Sequence, residues 1–358
     1  MGDLDRRAAS SDTTSMVIYR CGDEAHRFES IDYDGRLLHI ASVTKIVVNL
    51  AVARAVFTGV IPSIDGPACR WLTEWSESSK AAITVRHLMA HTSGVACDWA
   101  AVLAETPDDL VAYSLDSPLV SAPGAVVAYN NLGAMLLTEI VHRATGDPIE
   151  VYLQREVFAP LGIEQFAWNR DKAGHVFGMS ALQLTADDLA LIGQIWLQRG
   201  QWNGETVFAD DWVDQCVAVQ HPDAPRFGLL MMRHPPAEAI VHLELLPRHA
   251  AERLSALEGR KFPTTRSRSV TEFVRATYGP DAPELIDVLR STPEAIVVEP
   301  ADPLRAFGHD GSGGQHLWIS PAQQLVGVRL RDMDDRGDEA IGFDDFPDLL
   351  TDLDDTVD

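Results

Sequence analysis

The sequence predicts an α+β fold on three observations. Strand-like segments gather at both ends of the chain, the middle reads as helices, and one helix is apolar on nearly every side. Such a layout implies an antiparallel sheet formed by both chain ends, with flanking helices and an inserted helical subdomain over about 60–190.

At the N-terminal end, Ser15–Arg20 and Ala25–Ile31 read as two short strands joined by Gly22-Asp23, a hairpin signal. Leu37–Ile40 reads as a third. The apolar helix follows, from Val43 to about Phe57, closed by Gly59. A helix without a polar face belongs in the middle of a domain, so the lysine it carries, Lys45, needs an explanation.

Thr84–Ala90 reads as a short helix with Thr84 as N-cap. Leu132–Ala144 is a helix ended by Gly146, and Pro148–Phe158 another, before a turn at Pro160-Leu161-Gly162. Thr185-Ala-Asp-Asp188 has the form of a capping box opening a helix that runs to Gly200. Asn203-Gly204 is a turn. Arg226–Arg233, Gln315–Ile319 and Leu325–Leu330 read as strands, and 345–353 as a last helix.

Composition narrows the function. A 46% hydrophobic fraction over 358 residues provides ample core for a globular protein. The net charge of -24 argues against nucleic acid or an anionic membrane as the main partner, because both repel it. No apolar run reaches the roughly 18 residues of a membrane helix. The N-terminal stretch lacks the apolar segment of a secretory signal, so a cytoplasmic location is expected. Cys21, Cys69, Cys97 and Cys216 are scattered without metal-ligand or disulfide-framework spacing, which suits reduced, buried thiols. Neither a metal cluster nor a nucleotide fingerprint is present, so no cofactor is expected.

The chain is read as a single catalytic domain over 1–358 with an extra insertion over about 234–304, made of two or three helices. Arg248, Arg253, Arg260, Lys261, Arg266, Arg268 and Arg275 make this stretch locally basic in an acidic protein. It fits a solvated decoration, or a lid or docking surface for an anionic substrate or carrier.

Three motifs carry chemistry. In Ser42-Val-Thr-Lys45 the two end residues share one helical face. Serine needs an adjacent base to become a nucleophile, and burial can depress a lysine pKa until the amine accepts a proton. The helix N-terminus also offers backbone N–H groups to a developing oxyanion. The chain has only four lysines, and Lys45 alone lies three residues after a serine. Taken alone, the pattern equally fits a capping serine and a lysine snorkelling to the surface.

Tyr129-Asn-Asn131 follows Pro123-Gly124 and precedes an apolar helix; the phenol can relay a proton and the amide can bond a neighbouring amine. A packed aromatic beside an N-cap asparagine fits as well. His309-Asp-Gly311-Ser312-Gly313-Gly314 precedes a strand, and its glycines let backbone approach a ligand. A plain glycine-rich turn is the alternative.

The order of these motifs, with Leu88-Met-Ala-His91-Thr-Ser-Gly94 between the first two, resembles the serine β-lactamase and penicillin-binding-protein superfamily. The pattern there is Ser-x-x-Lys, then Tyr-x-Asn, then Lys-or-His-x-Gly. The class C-like branch, with its esterases, D-amino-acid peptidases and transacylases, is the most similar. Pro160-Leu161-Gly162, Thr185-Ala-Asp-Asp188-Leu189 and Gln201-Trp-Asn-Gly204 fit that branch too. The resemblance runs from about Ser15 to Leu330 outside the insertion.

The resemblance implies a β-lactamase-like fold and a role for each matching residue. Ser42 forms the acyl-enzyme. Lys45 is its base, a role shared or contested by Tyr129, which also protonates the leaving group. Asn131 orients Lys45 and meets the substrate. The backbone N–H groups of Ser42 and Ser312 bind the oxyanion, while His309 and Gly311 line the strand beside the substrate. His91 falls in a structural turn. The histidine at 309, where β-lactamases carry lysine, argues against β-lactam hydrolysis. The family's N-terminal helix reads as absent or very short.

The expected partners are a small-molecule acyl donor (an ester, thioester or small amide) and water or another nucleophilic acceptor. A DD-carboxypeptidase-like amide hydrolase is the second expectation, and a non-catalytic binding module the third.

Overall fold

The structure, a computed structural model, describes residues 2–234, 237–263, 269–300 and 304–333, together with 346, 349 and 350. The chain divides into two compact units, 1–233 with 306–358, and 234–305.

The larger unit is built on a six-stranded sheet. Its strands hydrogen-bond in the order Asp23–Glu29, Ser15–Arg20, Leu325–Leu330, Gln315–Ser320, Ala306–Gly311 and Met232–His234. Antiparallel pairing sets Val17 opposite Val328 and Leu317 opposite the same Val328, so both chain ends meet at the sheet's centre. The Leu325–Leu330 strand is buried along its whole length, as a strand covered on both faces must be. One face receives the Ala186–Leu197 helix, whose Thr185 cap accepts from the Asp188 N–H. Gly193 permits the contact: a Cβ there would stand 2.5 Å from Val326 Cγ1.

The other face is covered by Leu4, Ala8, Phe346 and Leu350, packed on Met16, Ile18 and Trp318. Leu4 and Ala8 belong to a Gly2–Ser10 helix, a correction to the sequence reading. This helix buries a single i, i+4 pair in an otherwise polar run, too little for a periodicity to show. Of the helix expected over 345–353, residues 346, 349 and 350 are described and helical, and the rest lies outside the described residues.

The Thr44–Phe57 helix is buried on almost all sides and packs against the Asn131–Thr145 helix. The strand expected over Arg226–Arg233 begins only at Met232. Before it, Leu229 donates to Cys216 O and Leu230 to Met89 O, so these backbone groups are satisfied by helical segments instead of a neighbouring strand.

The 234–305 unit has its own core of Leu254, Leu257, Phe262, Val274, Leu285 and Leu289. Besides the helices Arg248–Arg253, Ser269–Tyr278 and Ala282–Ser291, it holds a three-stranded antiparallel sheet with Ala237–Val241 in the centre, which the sequence reading did not foresee. Several of its cations are engaged internally: Arg248 pairs with Glu252, Arg253 with Glu284, and Arg260 stacks 4.6 Å from the Phe273 ring centroid. Arg266 and Arg268 lie outside the described residues.

Among the described residues, no helix is long and apolar enough to cross a membrane, and no cluster of His, Cys, Asp and Glu has the geometry of a metal site.

Candidate active site

Ser42 sits in a single 3-10 turn, Ala41–Val43, that leads into the Thr44–Phe57 helix. Ala41, just before it, is left-handed with φ 46°. For a residue with a Cβ this conformation costs about 1–2 kcal/mol, so the surrounding contacts hold the turn in place.

Lys45 lies one turn further and is fully buried. Its Nζ reaches Ser42 Oγ at 3.1 Å and donates to the Met179 carbonyl at 2.8 Å. Burial pushes the amine down to about 7. A neutral amine keeps its donation to Met179 and presents a lone pair that the Ser42 O–H can address across the same 3.1 Å.

Tyr129 completes this group. Its ring centroid is 4.8 Å from Lys45 Nζ. Burial pushes the phenol up to about 12, with a hydrogen bond to Ser42 acting the other way, so the hydroxyl keeps its proton at neutral pH. The ring packs 4.7 Å from His91 and 6.0 Å from Phe227.

The His91–Gly94 phrase places Tyr129. His91 N is bonded to Leu88 O, Ala128 N donates to His91 O, Gly124 N to Thr92 O and Val120 N to Gly94 O. Gly94, at φ 75°, faces Ser121 O so closely that a Cβ would stand 2.1 Å from it. The His91 ring is buried and accepts the Asn130 N–H at Nδ1 over 3.1 Å. Burial, with the Lys45 and His309 charges, pushes it down to about 3. It is therefore neutral, with its proton on Nε2.

The two asparagines after Tyr129 divide their work. Asn130 is the cap of the Asn131–Thr145 helix: its Oδ1 accepts from Gly133 N at 2.9 Å and its Nδ2 donates to Val95 O at 2.7 Å. Asn131 opens the helix, and its buried Oδ1 accepts no hydrogen bond. The Lys45 amine is held by Ser42 and Met179, not by Asn131.

His309, Gly311 and Ser312 come from the Ala306–Gly311 strand and the turn after it. His309 is buried, its Nδ1–H donates to Asp310 O at 2.6 Å, and its ring lies 6.4 Å from Tyr129. Gly311 abuts the Ser42 turn, because a Cβ there would stand 2.9 Å from both Ala41 Cβ and Ile40 O. Ser312 is exposed in a turn with Gly313 and Gly314 at φ 75° and 77°.

Sequence reasoning missed the supports of this arrangement. The fully buried Arg329 bonds Gly314 O, Ser11 O and Thr13 Oγ1, fixing the far side of the turn. A charged residue in an apolar strand was the available signal. Asn49, one turn beyond Lys45, donates to Leu229 O at 2.6 Å and accepts from Trp212 Nε1 at 2.9 Å. Asp98 caps the Trp99–Glu105 helix, and Glu139 pairs with Arg143.

The fold and this constellation together define the class. A sequence model described as Beta-lactamase matches residues 34–332. The chain belongs to the Beta-lactamase family. It is 34% identical over 147 residues to Esterase EstB of Burkholderia gladioli, across 36% of this chain and 37% of the esterase. It is 26% identical over 155 residues to a putative D-alanyl-D-alanine carboxypeptidase of Escherichia coli K12, across 38% of this chain and 34% of the relative. These matches thus span little more than a third of each curated relative.

Among solved structures, the putative 6-aminohexanoate-dimer hydrolase from Bacillus anthracis aligns over 98% of this chain and 82% of its own, at 16% identity and TM-score 0.68. A structure described as EstCE1, a hydrolase with promiscuous acyltransferase activity, aligns over 92% of both chains at 12% identity and TM-score 0.60.

Proposed function

We propose that the chain is a serine acyl hydrolase of the esterase type, with capacity for acyl transfer, working through a covalent Ser42 intermediate. The observation that carries this reading is the Ser42 hydroxyl 3.1 Å from an amine that burial brings to about 7.

In the first half-reaction the Ser42 O–H proton passes to Lys45 while Oγ attacks the carbonyl carbon of the donor. The oxyanion is received by the backbone N–H groups of Ser42 and Ser312, a role supported by the close approach of Gly311 to Ala41. Tyr129, still protonated, gives its proton to the leaving group as the carbonyl re-forms, and recovers one from Lys45. In the second half-reaction water or an alcohol loses a proton to the same groups and attacks the acyl-enzyme, and that proton passes to Ser42 Oγ as the serine is released. The high position of Tyr129 and the low position of Lys45 favour the phenol as acid and the amine as base.

The ester reading is supported by the esterase relative. It is also supported by the histidine at 309, which provides no permanent cation for the carboxylate of a peptide substrate.

The test is intact-mass analysis after exposure to a fluorophosphonate and to an activated ester. A single adduct that is lost in Ser42→Ala, with the variant folded by circular dichroism, supports the reading. An adduct that survives the substitution, or none across a series of activated esters, sinks it and leaves the non-catalytic alternative.

A further inference from the structure

A cavity of about 410 Å³ in the larger unit is lined by Trp99, Leu103, Leu110, Phe177 and Met179, with Lys172 among the polar groups. It falls within the size range of small-molecule sites. Met179 ties it to the reacting groups, because the carbonyl of this same residue holds Lys45 Nζ at 2.8 Å.

The charged groups of its wall are already occupied. Lys172 pairs with Asp108 at 2.6 Å, and Arg170 with Glu150 at 2.7 Å. The Asp171 carboxylate accepts the N–H groups of Leu110 and His175, each at 2.8 Å. A charged ligand would compete with these contacts, whereas an apolar one would not. Apolar surface is meanwhile left to water: Leu103 is 62% exposed, and the Trp99 and Phe177 side chains are half-buried. Covering such surface is favourable by about 25 cal/mol per Å².

We infer that this cavity receives the acyl chain of the substrate, and that the substrate class is an uncharged aliphatic ester of medium chain length. The inference rests on the proposed Ser42 acyl-enzyme. The chain is assigned to the acyl side because of Tyr129, the proposed acid for the leaving group. Its ring neighbours His91, Phe227 and His309 are all absent from the cavity lining. The leaving alcohol therefore departs on the Tyr129 side, and the acyl portion lies on the Met179 side.

The experiment compares kcat/KM for p-nitrophenyl acetate and p-nitrophenyl octanoate, and for ethyl acetate and octyl acetate, in the parent and in Leu103→Asp. A hydrophobic pocket discriminates by roughly tenfold or more for added methylenes. The octanoate:acetate ratio is therefore expected to exceed about 10 in the parent and to fall by about tenfold in the variant. A ratio near one, a ratio untouched by Leu103→Asp, or a preference that follows the alcohol chain instead overturns the assignment.

A second arm separates this from failure of the catalytic reading: octanamide is titrated into Ser42→Ala by isothermal calorimetry, with and without Leu103→Asp. Saturable binding lost in Leu103→Asp supports the pocket even if no ester is turned over. Turnover that depends on Ser42, without chain preference and without binding, leaves the catalytic reading standing and removes the pocket.

Discussion

Gly311 lies against Ala41 with no room for a side chain, since a Cβ on the glycine would stand 2.9 Å from the alanine Cβ. Ala41 is in turn the left-handed residue that delivers Ser42. The end of one strand and the start of the buried helix are thereby locked together at the point where acyl transfer is proposed to occur. Gly311→Ala is expected to force the two apart by a few tenths of an ångström or more. A misplacement of about 1 Å lowers kcat by about 100-fold, so a loss of up to that size is expected, while overpacking costs about 1–3 kcal/mol of stability. Steady-state kinetics and a urea melt on the same preparation check this. A variant with parental kcat would show that the contact does not position the nucleophile.

Lys45 should set the acid limb of the activity profile. Its amine must be neutral to take a proton, so kcat/KM is expected to rise about tenfold per pH unit below about 7 and level off above it. Stability should follow the same group. The ordinary amine value is 10.5 and burial brings the folded value to about 7. Between the two, the unfolded chain holds the extra proton, so raising the pH through this window stabilises the fold. Below about 7 both states are charged and the cost of burying the cation is felt in full. Lys45→Met is thus expected to lower acylation by about 1,000-fold or more and to melt above the parent at about pH 6. That difference should shrink as the pH approaches 10.5. Rates and thermal melts across the range measure both, and a pH-independent rate would remove Lys45 as the base.

Tyr129→Phe keeps the ring that packs on His91 and Phe227 and deletes only the hydroxyl. A lost general acid lowers kcat by about 100- to 10,000-fold. The loss is expected to be largest for esters of poorly acidic alcohols and smallest for p-nitrophenyl esters, whose leaving group needs no proton. Equal losses for both leaving groups would assign the phenol a structural part only.

Asn130 and Asn131 should respond in opposite ways. Asn130→Ala removes a helix cap and the bond to Val95 O, with an expected loss of about 1–3 kcal/mol in stability. Asn131→Ala removes an oxygen that has no partner in the protein, so its melting point should hold while activity falls. Parallel thermal melts and kcat/KM values on the two variants decide it. Unchanged activity in Asn131→Ala would place the side chain outside the reaction.

Much of this arrangement is legible in the sequence, for physical reasons that differ by residue. Ser42 and Lys45 stand out because helical geometry joins residues three apart, and because a lysine inside an apolar helix demands a purpose. The central sheet could be placed because alternating and continuous apolar runs mark both chain ends. Other features leave no such trace. Met179 contributes a backbone carbonyl, which every residue possesses. Which of two adjacent asparagines caps a helix depends on backbone angles that composition does not encode. The sheet of the 234–305 unit pairs Ala239 with Val298, a partnership between distant segments that no local pattern announces. The Gly2–Ser10 helix is specified by what its two apolar residues meet across the fold, more than by its own sequence.

Arg305 N donates to His234 O at 3.2 Å, so the chain leaves for the 234–305 excursion and returns through one narrow doorway. The ring-closure entropy of such a detour rises by only about 0.6 kcal/mol for each doubling of its length. Chain entropy therefore sets little limit on the length of what is inserted between His234 and Arg305. A protein engineer could use the same junction as a socket.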